Sequence, residues 1–471
     1  MPEIQALETR LDSLEAQSRR LDATPDEIQR WLDALSRFSA EYLEANATAP
    51  AFLPLGAPHS AQPLPLRPSP FTDVLDEFQR TALPRGIVAT SGRFFGYVPG
   101  GGIPTGAVGD YLAALTNRYS GNYGAAPGAA AIENDAVRWL IEMVGYPESA
   151  WGTLQSGGSL ATLTAVVAAR ESRQAWDWMR SVIYMTEECH LAIRKSLHIA
   201  GLAHVRCRTV PVDQRLHMSV PDLERMIAED RSKNLQPWMV FASAGTVNTG
   251  AVDPLAEIAR VAKDEGLWMH VDGAYGAFFV LTERARASLE AMALADSVVL
   301  DPHKGLFLPY GTGAVLVKDG NVLRQAFAAT HSYLSDVEHE EPSPSSYSPE
   351  LTRHFRGLRL WLSLKVHGLD RYRAALEEKL VLARLAWERL RAMPRIDAGP
   401  EPELSCVAFR VNADGNGATR LLLDRILERG RVHMSSTVLG GKLHVRLCVL
   451  CFRSHRADLD EALREIEREA S

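Results

Sequence analysis

Short apolar runs at residues 182–185, 239–242, 267–271, 298–300 and 314–317 alternate with helix-forming stretches through the middle of the chain. Each run is too short for a helix and lacks strict polar–apolar alternation, so each reads as a strand buried on both faces. Strands of that kind belong to parallel sheets covered by helices, which makes the region from about residue 87 to 317 an α/β sheet. Sites in such sheets collect beyond the carboxyl ends of the strands. Gly157, His190, Thr246, Asp272 and Lys304 all follow apolar runs, and that is where chemistry is expected.

The flanks read differently. Ile4, Leu7, Leu11, Leu14 and Leu21 have heptad-like spacing, which predicts a short amphipathic helix. Thr24-Pro25-Asp26-Glu27 is a helix start, with Thr as N-cap, Pro at the first position and Glu three residues on. Ile28, Trp31, Leu32, Leu35, Phe38 and Tyr42 then mark one face. Residues 49–70 are rich in Pro and Ala and form an extended connector, and 71–83 form another helix. These first 86 residues have no core of their own, so residues 1–86 are expected to be a helical arm that wraps a partner subunit in a homodimer. A polar segment at 330–351, broken by Pro342, Pro344 and Pro349, reads as a mobile loop that ends a large domain of residues 87–351. Helices at 352–393 and strands near 406–411 and 443–451 make residues 352–471 a smaller α+β domain.

Composition narrows the partners. With 51 basic and 58 acidic residues the net charge is −7, which argues against nucleic acid. No apolar run has membrane-spanning length, and the start Met1-Pro2-Glu3-Ile4 lacks a signal-peptide layout, so a cytoplasmic protein is expected. Five cysteines suit reduced thiols. Cys448 and Cys451 form a lone CxxC inside an apolar run; it reads as a buried strand rather than a metal site, and no metal is expected.

The chemistry centres on two turns. Asp301-Pro302-His303-Lys304-Gly305 follows one buried run, and His270-Val271-Asp272-Gly273-Ala274-Tyr275 closes another. An amine and a carboxylate so placed are what pyridoxal 5'-phosphate needs. Lys304 would carry the cofactor aldehyde covalently, and Asp272 would keep the pyridine nitrogen protonated so that the ring draws electrons. Gln155-Ser156-Gly157-Gly158-Ser159 precedes a helix; its glycines admit an anion to the backbone and Ser159 is placed as N-cap, so the turn reads as a phosphate cradle. His190 could lie over the pyridine ring, opposite Ala274, or pass a proton. Thr246 could reach the ring hydroxyl or the substrate carboxylate, and His303 the phosphate.

These motifs together resemble the group II pyridoxal-phosphate decarboxylases, which include the aromatic-L-amino-acid, histidine and glutamate decarboxylases. Phe94-Phe95-Gly96-Tyr97-Val98-Pro99, Ala125-Ala126-Pro127 with Ile132-Glu133, and Arg353-His354-Phe355-Arg356-Gly357-Leu358-Arg359-Leu360-Trp361 are similar to further blocks of that family. The resemblance runs from about Pro25 to the C-terminus. It implies the type I, aspartate-aminotransferase-like fold, with a mostly parallel seven-stranded sheet. It also implies decarboxylation of an L-amino acid, with an aromatic one favoured, to the amine and CO2. Lys304 and Asp272 take the roles above, His190 sits on the ring, and Gly158, Ser159 and His303 lie near the phosphate. Phe95, Tyr97, Pro99 and Gly100 fall in the substrate-pocket segment. The chain departs from the aromatic-specific pattern at Gly100-Gly101-Gly102 and at Gly273, which stands where alanine is usual. The loop tyrosine that protonates the substrate carbon is matched by Tyr347, with Tyr333 the alternative. An aldehyde-forming or carbon–carbon-cleaving enzyme of the same fold, and a non-catalytic cofactor-binding dimer, are the rival readings.

Overall fold

Thr24 opens its helix through reciprocal hydrogen bonds. Its hydroxyl accepts from the Glu27 amide at 3.3 Å, and the Glu27 carboxylate accepts from the Thr24 amide at 2.8 Å. In the computed structural model, which describes residues 2–56, 60–173, 177–328 and 341–470, this helix spans Pro25–Asn46. It belongs to a unit of residues 1–88 that also holds the helices Pro2–Ser18 and Phe71–Ala82 and a two-residue ladder between β1 (Phe52–Leu53) and β2 (Gly86–Ile87). Trp31 stacks on Phe71 at 5.4 Å and Phe38 meets Phe78 edge-on at 6.2 Å. These contacts do not amount to a core. Only Ala34 and Asn46 are buried in the longer helix and no residue is buried in Phe71–Ala82. Ile4, Leu7, Leu11 and Leu14 are each more than half exposed.

Residues 89–471 form the second unit. Its large sheet is built from β3 (Trp151–Gln155), β4 (Ser181–Met185), β5 (Arg206–Thr209), β6 (Gln236–Ser243), β7 (Trp268–Asp272), β8 (Ser297–Leu300) and β9 (Gly313–Val317), in the order β3-β9-β8-β7-β6-β4-β5. The β4, β6, β7 and β8 residues are almost all buried, as their apolar runs require. The run at 314–317 differs from expectation: β9 is antiparallel to both neighbours. The short segment 301–312 between β8 and β9 carries no crossover helix, and a parallel return needs one. Because β9 reverses twice, β3 points the same way as β8, and the carboxyl ends of β3, β6, β7 and β8 share one edge. Strand β5, Arg-Cys-Arg-Thr, escaped the apolar-run pattern. It has a single partner and half-exposed side chains, and polar residues are how an edge strand is protected.

A second sheet follows: β10 (Ile396–Asp397), β11 (Cys406–Val411), β12 (Ser435–Leu439) and β13 (Lys442–Cys448), antiparallel in the order β10-β11-β13-β12. The helices Leu369–Arg391, Gly417–Arg429 and Arg456–Ala470 contribute Leu382, Trp387, Leu422 and Leu459 to a core with Val407, Phe409 and Leu447. Cys448 and Cys451 are fully buried, and all five cysteines are free thiols. Among the described residues no helix is long and apolar enough to cross a membrane, and no cluster of His, Cys, Asp or Glu is set to hold a metal.

One contact between distant segments is pH-sensitive. The Glu403 carboxylate, just before β11, accepts from His217 and from the Val252 amide. The Glu403 hydrogen bond holds the His217 imidazolium above the ordinary histidine range, with burial opposing it. A raised folded-state histidine pKa adds stability that is complete below the unfolded value, 6.5, and fades as pH climbs through the folded value. Stability to urea should therefore fall as pH rises above about 6.5. His217→Asn should flatten that part of the slope, and an unchanged slope would assign it to another group.

Candidate active site

The shared edge of β3, β6, β7 and β8 opens on a cavity of about 330 Å³. Strand β3 delivers Ser156, Gly157, Gly158 and Ser159, which lead into the helix Gly158–Glu171. A Cβ on Gly158 would stand 2.8 Å from Asp301 Oδ2, and one on Gly313 would stand 2.6 Å from the Gly157 Cα. Neither position admits a side chain, and the turn lines the cavity as bare backbone at Gly157 and Gly158. The expected Ser159 cap is corrected: Gly157 is the N-cap, the helix begins at Gly158, and no side chain caps it. Ser159 still lines the cavity, one residue inside the helix.

Strand β7 ends at Asp272, whose Oδ1 accepts from the Ala274 amide at 3.1 Å. Gly273 fits between Ala277 and the Val299 carbonyl, where a Cβ would be 2.7 Å and 3.0 Å away. From β8 the chain turns through Pro302–Gly305, held by the Lys304 amide on the Asp301 carbonyl at 2.8 Å. Lys304 Nζ reaches Asp301 Oδ2 at 2.9 Å. Burial opposes the charged amine, but the Asp301 carboxylate outweighs it and holds Lys304 above the ordinary lysine range. His303 is pushed below the ordinary range by burial, and its Nδ1 faces the Thr312 carbonyl at 2.7 Å. Across the cavity stand His190, whose Nδ1 accepts from the Ala192 amide at 3.2 Å, and Thr246, whose hydroxyl accepts from the Ala251 amide at 3.1 Å.

Three buried arginines fix this edge from behind. Arg353 pairs with Glu133 at 2.8 Å and donates to Thr153 and the Leu154 carbonyl on β3. Arg356 donates to the same carbonyl at 3.2 Å and pairs with Glu350. Arg359 joins Asp110 at 2.7 Å to the Thr312 hydroxyl at 2.9 Å.

The structure thus brings Gly157, Gly158, Ser159, His190, Thr246, Asp272, Ala274, His303 and Lys304 to one cavity. It does not bring the pocket segment there. Phe95 is fully buried in the core of the small sheet, its amide on the His433 carbonyl and its carbonyl on the Cys448 amide. Tyr97 is 61% exposed with φ +54°, and its ring lies beside Phe94 and His433. Neither Tyr97 nor Pro99 is among the lining residues. Gly100 lies under the catalytic turn: a Cβ would be 2.1 Å from the His303 carbonyl oxygen, so its absence lets the Lys304 turn close down. Backbone pairing with the small sheet sets the direction of these side chains, and a motif reading has no access to it.

Tyr347 is a further correction. It ends the turn Pro344–Tyr347 and packs on Trp151, ring centroids 5.7 Å apart, at the amino end of β3, the end opposite to the cavity. Tyr347→Phe should accordingly change the rate of amine formation by less than about threefold. A large loss would show that the ring travels to the cavity. Tyr333 and residues 329–340 lie outside the described residues. Sequence reasoning gave no role to Ser156, Glu188, Ser243, Tyr275 or Asp301, all of which line the cavity. Asp301 was within reach, since it stands three residues before Lys304 on a tight turn.

A glycine turn at a helix start, a carboxylate at one strand end and a buried amine at the next, all on one cavity, define a pyridoxal-phosphate site. Residues 57–412 match the pyridoxal-dependent decarboxylase conserved domain, and the chain belongs to that family. It is 35% identical to an aromatic-L-amino-acid decarboxylase of Bacillus atrophaeus over 79% of this chain and 80% of that one. It is 26% identical to a phenylacetaldehyde synthase of Arabidopsis thaliana over 90% of each. The crystal structure of Oryza sativa TDC with PLP and tryptamine has the same fold, with a TM-score of 0.88 at 23% identity, covering 95% of this chain and 98% of that chain. The protein is a pyridoxal-phosphate-dependent amino-acid decarboxylase of the type I fold, a carboxy-lyase.

Proposed function

We propose that this decarboxylase acts on an aromatic L-amino acid, as a homodimer, and releases the amine and CO2. The observation that carries the site assignment is that Lys304, Asp272 and the Gly157–Gly158 turn open on one cavity. The aromatic substrate is supported by the 35% identity to the Bacillus atrophaeus enzyme over most of both chains.

Lys304 is the residue that holds the cofactor covalently. Asp272 holds a proton at the ring nitrogen, and the Ala274 amide on its Oδ1 keeps the carboxylate aimed. The Gly157–Gly158 turn and His303 hold the phosphate, with helix dipole and amides favouring the anion. His190 and Ala274 would hold the ring between them, and Thr246, on the same cavity wall, would offer its hydroxyl to it. Bound pyridoxal phosphate supplies an electron-withdrawing ring that accepts the electron pair left when CO2 departs. Lys304, freed when substrate binds, is the amine in the cavity that can return a proton to the substrate carbon, with His190 across the cavity as second candidate.

The arm supplies the dimer. Exposed Ile4, Leu7, Leu11 and Leu14 need covering, and a second copy offers the same face in return. Deleting residues 1–88 should give monomer or aggregate in light scattering; a stable, active monomer would count against the reading. Five free thiols suit the reducing cytoplasm as its location.

A second reading, aldehyde formation with oxygen as co-substrate, draws on the position of Tyr347, away from the cavity, and on the synthase relative. One experiment separates them: incubate the purified holoenzyme with each proteinogenic amino acid and assay CO2, amine, aldehyde and peroxide. CO2 with equimolar amine from Trp, Tyr or Phe supports the proposal. Aldehyde with equimolar peroxide supports the second reading, and turnover confined to acidic or aliphatic amino acids overturns the aromatic assignment.

A further inference from the structure

One side chain does not suit the phosphate cradle. The Asp301 carboxyl is 1% exposed and forms a wall of the glycine turn: a Cβ on Gly158 would stand 2.8 Å from its Oδ2, and one on Gly313 would stand 2.7 Å from its Oδ1. Oδ2 reaches Lys304 Nζ at 2.9 Å, while Oδ1 has no hydrogen-bond partner among the described residues. A site for a phosphate thus has a buried carboxylate beside it, and that carboxylate is bonded to the amine that must lose a proton before it can react. We propose that Asp301 takes the proton from Lys304, and that phosphate seated in the adjoining glycine turn drives the transfer. The inference rests on Lys304 being the covalent residue.

The physical argument is one of like charges. With the cradle holding no anion, Asp301 and Lys304 form an ion pair and the amine is unreactive. A phosphate at the Gly157–Gly158 amides sets a second anion beside a buried carboxylate, and their repulsion favours a proton on Asp301 because the carboxyl oxygens, and not Lys304 Nζ, border that turn. The proton nearest to hand is on Lys304. The Nζ–H bond breaks with its electron pair staying on nitrogen, an Oδ2–H bond forms, and the ion pair becomes a neutral pair. The phosphate then faces a neutral carboxyl, and the nitrogen lone pair is free to attack the aldehyde carbon. The cofactor's recognition group thereby switches on the residue that captures it.

Other charged groups face this pair. His303 Nε2 lies 3.7 Å from Asp301 Oδ2 on the same turn, and Arg359 reaches that turn through Thr312. Asp272 comes from the β7 turn, Glu188 and His190 stand across the cavity, and the Cys448 thiol lies behind Lys304. Of these, His303 is the rival acceptor, because its Nδ1 is engaged by Thr312 and its Nε2 is open.

The test separates phosphate from aldehyde. Full-length protein freed of cofactor is mixed at about pH 7 with phosphate-free pyridoxal, with or without millimolar inorganic phosphate. The adduct is fixed with borohydride and counted on the Lys304 peptide by mass spectrometry. In the wild type, phosphate should speed capture roughly tenfold, the effect of about one unit in the amine's proton affinity. Asp301→Asn, nearly isosteric, should capture pyridoxal with less than about a twofold response to phosphate. Absence of any phosphate response in the wild type overturns the inference without reference to a variant. An undiminished response in Asp301→Asn also overturns it. An adduct that forms on another lysine overturns the reading of Lys304 itself, a result distinct from an adduct on Lys304 that ignores phosphate.

Discussion

Lys304→Ala is expected to leave a protein that binds pyridoxal phosphate reversibly, retains no borohydride-fixable cofactor, and decarboxylates at least roughly 10⁴-fold more slowly. Two losses combine. The covalent anchor that fixes the ring against Ala274 and His190 is gone, and so is the amine whose proton the substrate carbon would take. The substitution has a stability consequence as well. Asp301 is buried and Lys304 is its closest cationic partner, so truncation strands a carboxylate in a low-dielectric site. Removing one member of a buried pair costs about 3–5 kcal/mol, although the cavity's opening to solvent lowers that here. The cofactor-free variant should therefore melt below the wild type, and Lys304→Ala combined with Asp301→Asn should recover part of the difference while activity stays lost. Activity and stability then separate within one pair of variants. A Lys304→Ala protein that still yields reduced cofactor on a specific lysine would move the anchor to that residue.

Much of this architecture is legible from local pattern, and the exceptions have physical causes. The runs at 182–185, 239–242 and 298–300 lie inside Ser181–Met185, Gln236–Ser243 and Ser297–Leu300, because burial on both faces leaves an unbroken apolar signature. Thr24-Pro25-Asp26-Glu27 starts its helix as expected, because a capping box is satisfied by residues three apart and needs no tertiary help. What escaped depends on neighbours distant in sequence. Strand direction is one case: the run at 314–317 looks like its parallel companions, and only the length and content of the 301–312 connection reverse it. Side-chain aim is another. Phe95 lies in a stretch that reads as pocket-lining, yet its backbone pairs with His433 and Cys448 and turns the ring into the small sheet's core. The same holds for Tyr347, carried by packing on Trp151 to the end of β3 away from the cavity. Turns at strand ends fare better, because the rule that sites gather at carboxyl edges uses only strand order along the chain. That is why Gly157, His190, Thr246, Asp272 and Lys304, all named from their place after apolar runs, meet at one cavity.

Asp272→Asn should give a folded protein that loads cofactor on Lys304 but turns over roughly 10³-fold more slowly, about 4 kcal/mol of barrier. The fold should tolerate the change because the observed hydrogen bond at this side chain has the Ala274 amide donating to Oδ1, and an asparagine carbonyl accepts it equally well. The chemistry should not, because an amide cannot hold a proton on the ring nitrogen as a carboxylate does, and an uncharged ring is a poor acceptor for the electron pair left by CO2. The neighbourhood sharpens the contrast. Asp272 is the last residue of β7, its amide and carbonyl belong to the ladder with β6 and β8, and its position is fixed by a sheet that the substitution does not touch. A fall in turnover with unchanged melting temperature, unchanged substrate affinity and full cofactor occupancy would therefore isolate the electronic role. Asp272→Glu supplies the complement: the charge is kept but the added methylene displaces it, so activity should return part-way. Near-normal turnover in Asp272→Asn would mean that ring protonation is maintained by some other group, and the assignment of this carboxylate would fall.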